Sequence, residues 1–133
     1  MGLVSGFLLD TCTFIWLASA LGKLSAEAAR KLGEDGGPAR HMSLASVWEI
    51  SLKHRTGKLP LPQPPRYWIE EQIRLQNVEI LDLVRESLYR ASELPAVHND
   101  PFDRLIAAES LVHNLAIISP DEPFKAYGCK TIW

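Results

Sequence analysis

Short unbroken apolar runs alternate along this chain with longer segments whose apolar residues recur at helical spacing. Phe7-Leu8-Leu9, running into Asp10, reads as a buried strand, and Thr11 and Thr13 offer caps for a helix through Phe14, Ile15, Leu17 and Leu21. Gly22 interrupts that pattern, Ser25 opens a second helix through Leu32, and Asp35-Gly36-Gly37-Pro38 ends it. The strand signal at His41-Met42-Ser43 is weak. Residues 44–56 read as a helix because Leu44, Val47, Trp48, Ser51 and Leu52 share one face, and Gly57 is a natural stop. Four prolines between Lys58 and Pro65 exclude a helix interior and mark a rigid connector. Helices over 67–76, 85–94 and 101–114 and strands over 78–81, 116–119 and 130–133 complete the pattern. Strands alternating with helices predict an α/β fold, with one parallel sheet covered on both faces in a single domain over residues 1–133.

Composition adds exclusions. With 133 residues, 47% apolar and 23% charged, the chain has the content of a globular domain able to bury a core. A formal charge of −2 gives no global nucleic-acid footprint, so any affinity for RNA or DNA must come from a local basic patch. Cys12 and Cys129 form neither a disulfide framework nor a zinc pattern, and Cys12 reads as a small buried thiol. No apolar run approaches the ~20 residues of a membrane span, and no basic segment precedes a signal-type apolar core. The expected location is the cytoplasm, away from any membrane.

The candidate chemistry lies in four acids: Asp10, Glu49, Asp103 and Asp121. Asp10 and Asp121 each follow an apolar strand segment, and ligands of parallel sheets gather outside the carboxyl ends of the strands. Crowded carboxylates are costly unless a cation neutralises them, and hard oxygen donors suit Mg²⁺ or Mn²⁺. Each acid also has a structural reading. Asp10 fits an N-cap, Asp121 a polar turn, and Glu49 either a capping box opened by Ser46 or a pair with Lys53. Asp100, before Pro101, fits an N-cap, and with Asp103 it complements a helix dipole. His98 is a candidate general base with no identifiable partner. Lys53, His54, Arg55 and Lys58 cluster at a helix end, and Arg104 adjoins Asp103, so these cations are candidates for phosphate contact.

Four segments, in order, carry a resemblance: Leu8-Leu9-Asp10-Thr11, Ser46-Val47-Trp48-Glu49-Ile50, the stretch from His98-Asn99-Asp100-Pro101-Phe102-Asp103-Arg104 to Ala108, and Ile118-Ser119-Pro120-Asp121. Over nearly its whole length the chain resembles PIN-domain ribonucleases, and more narrowly the VapC-type toxins of bacterial type II toxin–antitoxin modules. The resemblance implies a PIN-like α/β/α sandwich around a mainly parallel five-stranded sheet. It also implies a catalytic set of Asp10, Glu49, Asp103 and Asp121, with metal held by Asp10, Asp103 and Asp121. Thr11, Asp100 and Ser119 form a second tier, and Lys53, Arg55, Lys58 and Arg104 are the expected RNA contacts. Where the family often has a small residue before the last aspartate, this chain has Pro120, which leaves Ser119 available to bond a ligand or carboxylate. The implied activity is Mg²⁺-dependent RNA hydrolysis (Mn²⁺ substituting), inhibited by a cognate antitoxin. Two other readings are a non-catalytic PIN-fold binding module and a phosphoacceptor domain; the latter lacks its threonine and lysine at later strand ends. Trp16, Leu17, Leu21, Trp48 and Trp68 are more bulky apolar residues than one small core absorbs, which predicts a homodimer.

Overall fold

The computed structural model describes residues 3–133. Five strands form the sheet: β1 (Gly6–Leu9), β2 (Arg40–Met42), β3 (Val78–Ile80), β4 (Leu115–Ile118) and β5 (Thr131–Ile132). Their order is β3-β2-β1-β4-β5, and every neighbouring pair is parallel. The chain winds outward from β1 to β3, then crosses back to lay β4 on the other side of β1. That reversal leaves a crevice at the carboxyl ends of β1 and β4, where Leu9 pairs with Ile118.

Strands β1 and β4 are buried at every position, as central parallel strands covered on both faces must be. Their side chains divide with the two-residue period of a strand. Phe7, Leu9, Ala116 and Ile118 enter one core with Phe14, Trp68 and Ile69, whereas Leu8, Leu115 and Ile117 enter the other with Ile106, Ala107 and Phe124. Helices α1 (Thr11–Ser19) and α4 (Pro65–Leu75) cover the first face, and α6 (Pro101–His113) and α7 (Pro123–Ala126) the second. The remaining helices are α2 (Ala26–Leu32), α3 (Leu44–Arg55) and α5 (Arg85–Glu93), with a short 3₁₀ turn at Leu21–Lys23. Among the described residues, no helix is long and apolar enough to cross a membrane.

Most expected elements occur within a residue or two of their expected ends. The weak segment at residues 41–43 is a true strand, β2, shifted to Arg40–Met42 and bonded on both sides by β1 and β3. Helix α3 is capped by Ser43, whose hydroxyl accepts from the Ala45 amide, so the capping box from Ser46 does not form. Gly57 ends the turn after α3 at φ +77°, a conformation that favours glycine. Trp68 is buried at 4% exposure, edge-on to Phe14 at 6.0 Å, and so leaves the expected surface patch. Trp16 is half-buried against Trp133, while Leu21 and Trp48 are exposed.

Candidate active site

Asp10 follows β1 directly and caps α1, because its extended backbone (φ −64°, ψ 159°) turns the carboxylate back onto the helix. Oδ1 accepts from the Thr11 amide at 2.7 Å, and Oδ2 accepts from the Ser119 hydroxyl at 2.8 Å and the Cys12 thiol at 3.4 Å. Ser119 directly follows β4, and its oxygen also accepts from the Asp121 amide at 3.1 Å. One serine therefore connects the two acids across the seam of the sheet. Asp10, Cys12 and Asp121 bring one ligand atom each within 4.8 Å of one another. The Cys12 thiol lies beside the site instead of deep in a core, and burial together with the Asp10 carboxylate pushes it far above the ordinary thiol range. That environment disfavours the thiolate, the nucleophilic form of a cysteine.

The first turn of α6 supplies the second group. Asp100 is the N-cap, accepting from the Phe102 amide at 2.9 Å, and Pro101 takes the first helical position. This leaves Asp103 inside the first turn, where it meets His98 with Nε2 3.3 Å from Oδ2. His98, Asp100 and Asp103 also bring ligand atoms within 4.8 Å of one another. The partner of His98, invisible in sequence, is thus Asp103.

Glu49 is buried on α3, and Lys53 one turn on holds its Oε2 at 2.7 Å. The other oxygen, Oε1, is buried with no hydrogen-bond partner among the described residues. Ser46, one turn before Glu49, shares a 2.8 Å hydrogen bond with Thr11, which ties α3 to the start of α1. Sequence reasoning missed Ser46 in this role, since its spacing to Glu49 reads equally as a cap. Asp10, Thr11, Glu49, Lys53, Asp100, Asp103 and Asp121 all line one cleft of about 260 Å³.

Of the four candidate cations, Lys53 borders this cleft, and Arg55 and Lys58 are exposed at the end of α3. Arg104 requires a correction. Its guanidinium is spent on the carbonyls of Ala91, Leu94, Pro95 and His98, so it braces the connection between α5 and α6 instead of presenting its charge to a phosphate.

Burial, opposed by the Ser119 hydrogen bond and reinforced by Asp121, raises the Asp10 pKa to about 6. Asp103 rises to about 7, mainly through burial and then through the charges of Asp10, Asp100, Glu49 and Asp121. Acids held this close resist shared ionisation unless positive charge joins them. A divalent cation fits this donor set. The oxygens are hard, Lys53 offsets only part of the negative charge, and Glu49 Oε1 is a buried acceptor with no donor among the described residues.

The PIN domain family model matches residues 7–129, a span that contains all four acids. No curated protein matches the chain in sequence. Among solved structures, the chain is similar to VapBC2 from Rickettsia felis bound to a DNA fragment from its promoter. That match has 14% identity and a TM-score of 0.64, covering 94% of this chain and 96% of the other. A toxin–antitoxin complex from Klebsiella pneumoniae matches at 19% identity and TM-score 0.57, covering 87% of each chain. FitAcB from Neisseria gonorrhoeae matches at 17% identity and TM-score 0.54, covering 94% of this chain and 95% of the other. Such identities speak for a shared fold, and the family model speaks for descent: from its parallel sheet to the acids at its strand ends, the chain belongs to the PIN domain family.

Proposed function

We propose that this chain is a Mg²⁺-dependent endoribonuclease, with Mn²⁺ able to substitute, and the toxin of a toxin–antitoxin pair. The observation that carries the reading is the meeting of Asp10, Glu49, Asp103 and Asp121 in one cleft at the carboxyl ends of β1 and β4. Asp10 and Asp103 would be the chief ion ligands, with Asp121 completing the set. A bound divalent ion would supply the Lewis acidity that draws in a phosphate oxygen and activates water. Glu49, with Oε2 held by Lys53, keeps Oε1 free to take the proton of the attacking water. Attack at phosphorus breaks the bond to the 3′ oxygen, which takes up a proton, leaving a 5′-phosphate and a 3′-hydroxyl. Lys53 borders the cleft, and Lys53 with the exposed Arg55 and Lys58 at the end of α3 would offer charge to the backbone phosphates of the RNA.

The same reading assigns two protein partners. The structures of similar fold include toxin–antitoxin complexes, and an antitoxin segment bearing a basic side chain would satisfy this acidic cleft in competition with Mg²⁺. A second copy of the chain would cover an apolar groove of about 540 Å³ between α3, α5 and α6, lined by Leu44, Trp48, Leu88 and Phe102.

The direct test incubates purified protein with RNA in Mg²⁺ and in chelator, beside the Asp10→Asn variant. Cleavage confined to the parent in Mg²⁺ is expected; intact RNA under all conditions would overturn the enzymatic reading and leave a non-catalytic module. Expression of the parent alone should slow bacterial growth, and Asp10→Asn should relieve it.

A further inference from the structure

Two neighbours in the first turn of α6 have opposite duties. Asp103 enters the acidic cleft, while Arg104 turns toward the connection between α5 and α6. There its guanidinium donates to the carbonyls of Ala91 at 3.1 Å, Leu94 at 2.7 Å, Pro95 at 3.0 Å and His98 at 3.3 Å. The Tyr127 hydroxyl donates to the same His98 carbonyl at 2.9 Å, and Arg104 lies 5.7 Å from the centre of the Tyr127 ring. His98 belongs to no helix or strand, yet its backbone is held by two donors from two different helical regions. Its ring then returns to Asp103, with Nε2 3.3 Å from Oδ2. A closed circuit runs from Asp103 through Arg104 and the backbone of His98 back to the Asp103 carboxylate.

Neither capping nor loop packing accounts for the His98 ring. Helix α6 is already capped by Asp100, and the connection is already braced by Arg104 and Tyr127. What the ring adds is a nitrogen 3.3 Å from one oxygen of a carboxylate that stands among four other acids. A carboxylate in such company turns away from its neighbours unless something holds its plane. We infer that His98 is a positioning residue for Asp103: its imidazole, paired with Oδ2 at 3.3 Å, leaves Oδ1 for the cation, and Arg104 with Tyr127 fix His98 in turn. The inference rests on the proposed reading of Asp103 as a cation ligand. Hydrogen-bonded partners of metal-binding carboxylates have this effect generally, and their loss typically weakens metal binding about 10–100-fold.

The test measures Mn²⁺ binding to the purified full chain by the paramagnetic resonance signal of the free ion, with melting temperature as the control for fold. His98→Ala should bind about 10–100-fold more weakly at a near-parental melting temperature. His98→Gln, whose amide can still donate, should recover part of the loss. Tyr127→Phe removes a bond that holds the His98 carbonyl, so it should weaken binding in the same direction even if His98→Ala does not fold. Parental affinity in the folded His98 and Tyr127 variants, while Asp103→Asn loses the ion, would overturn the positioning role alone. Parental affinity in Asp103→Asn as well would overturn the reading of the cleft on which that role depends.

Discussion

The hydroxyl of Ser119 donates to Oδ2 of Asp10 across 2.8 Å and joins the residue that follows β4 to the residue that follows β1. This bond favours the ionised carboxylate and opposes the burial that raises the Asp10 pKa to about 6. Ser119→Ala should therefore move the Asp10 pKa further up and weaken divalent-ion binding by about 10–100-fold at pH 6–7. In the parent, Mn²⁺ affinity should rise with pH to about 7, because bound ions require the ionised forms of Asp10 and Asp103. Calorimetric Mn²⁺ titrations at several pH values check both statements; a flat profile in the parent contradicts them.

Asp10→Asn and Asp103→Asn should each abolish RNA cleavage while preserving the fold. Both changes remove a ligand charge at nearly constant shape. Without divalent ions at pH 8 neither variant should melt below the parent, because each neutralises an acid whose ionisation the folded state disfavours. Near-parental cleavage by both purified variants would refute the site.

The strands and the α6 start are legible because each has a local cause, whereas the set of four acids rests on the matched places of Asp10 and Asp121 after strands and on the resemblance. Phe7-Leu8-Leu9 and Leu115 to Ile118 are unbroken apolar runs, and Asp100-Pro101 encodes a helix start in two residues. Strand β2 was faint because only three residues pair, and its stability comes from β1 and β3, which lie far away in sequence. Helix α7 carries no periodic signal in sequence, because it is a four-residue turn held by the burial of Phe124. The roles of Ser46, His98 and Arg104 depend on where separate helices meet, and neither spacing nor propensity encodes such meetings.

Glu109 predicts a pH effect unrelated to catalysis. It sits on α6 at 1% exposure, and neither carboxylate oxygen has a hydrogen-bond partner among the described residues. Burial raises its pKa from 4.5 to about 7, with the nearby Ser43 hydroxyl offsetting part of the rise. The folded state thus holds a proton that the unfolded chain releases at lower pH. Its contribution to stability is fully present below pH 4.5, declines as pH rises, and is lost above about 7. The interval corresponds to about 3 kcal/mol. Glu109→Gln should raise the melting temperature at pH 9, change it little at pH 4.5, and flatten the decline between them. Asp10 and Asp103 keep a residual slope of the same sign in chelator. Identical pH–stability curves for parent and variant would show that Glu109 reaches solvent or a partner.

Association should depend on Trp48. The residue is 63% exposed on α3, and its ring stands edge-on to Phe102 at 5.6 Å, forming one wall of the apolar groove between α3, α5 and α6. Large exposed aromatic residues beside such grooves are typical anchors of an interface, and twofold dimers are the commonest closed assembly. Because Trp48 is exposed and contributes little to either core, Trp48→Asp should leave the melting profile of the monomer almost unchanged. The buried charge it would place in a twofold interface lies near its own copy, so the penalty counts twice. Light scattering at micromolar concentrations should give twice the chain mass for the parent and the chain mass for Trp48→Asp. A parent that stays monomeric across that range refutes the dimer, and a variant that stays dimeric moves the interface to the other apolar surface, around Trp16 and Leu21.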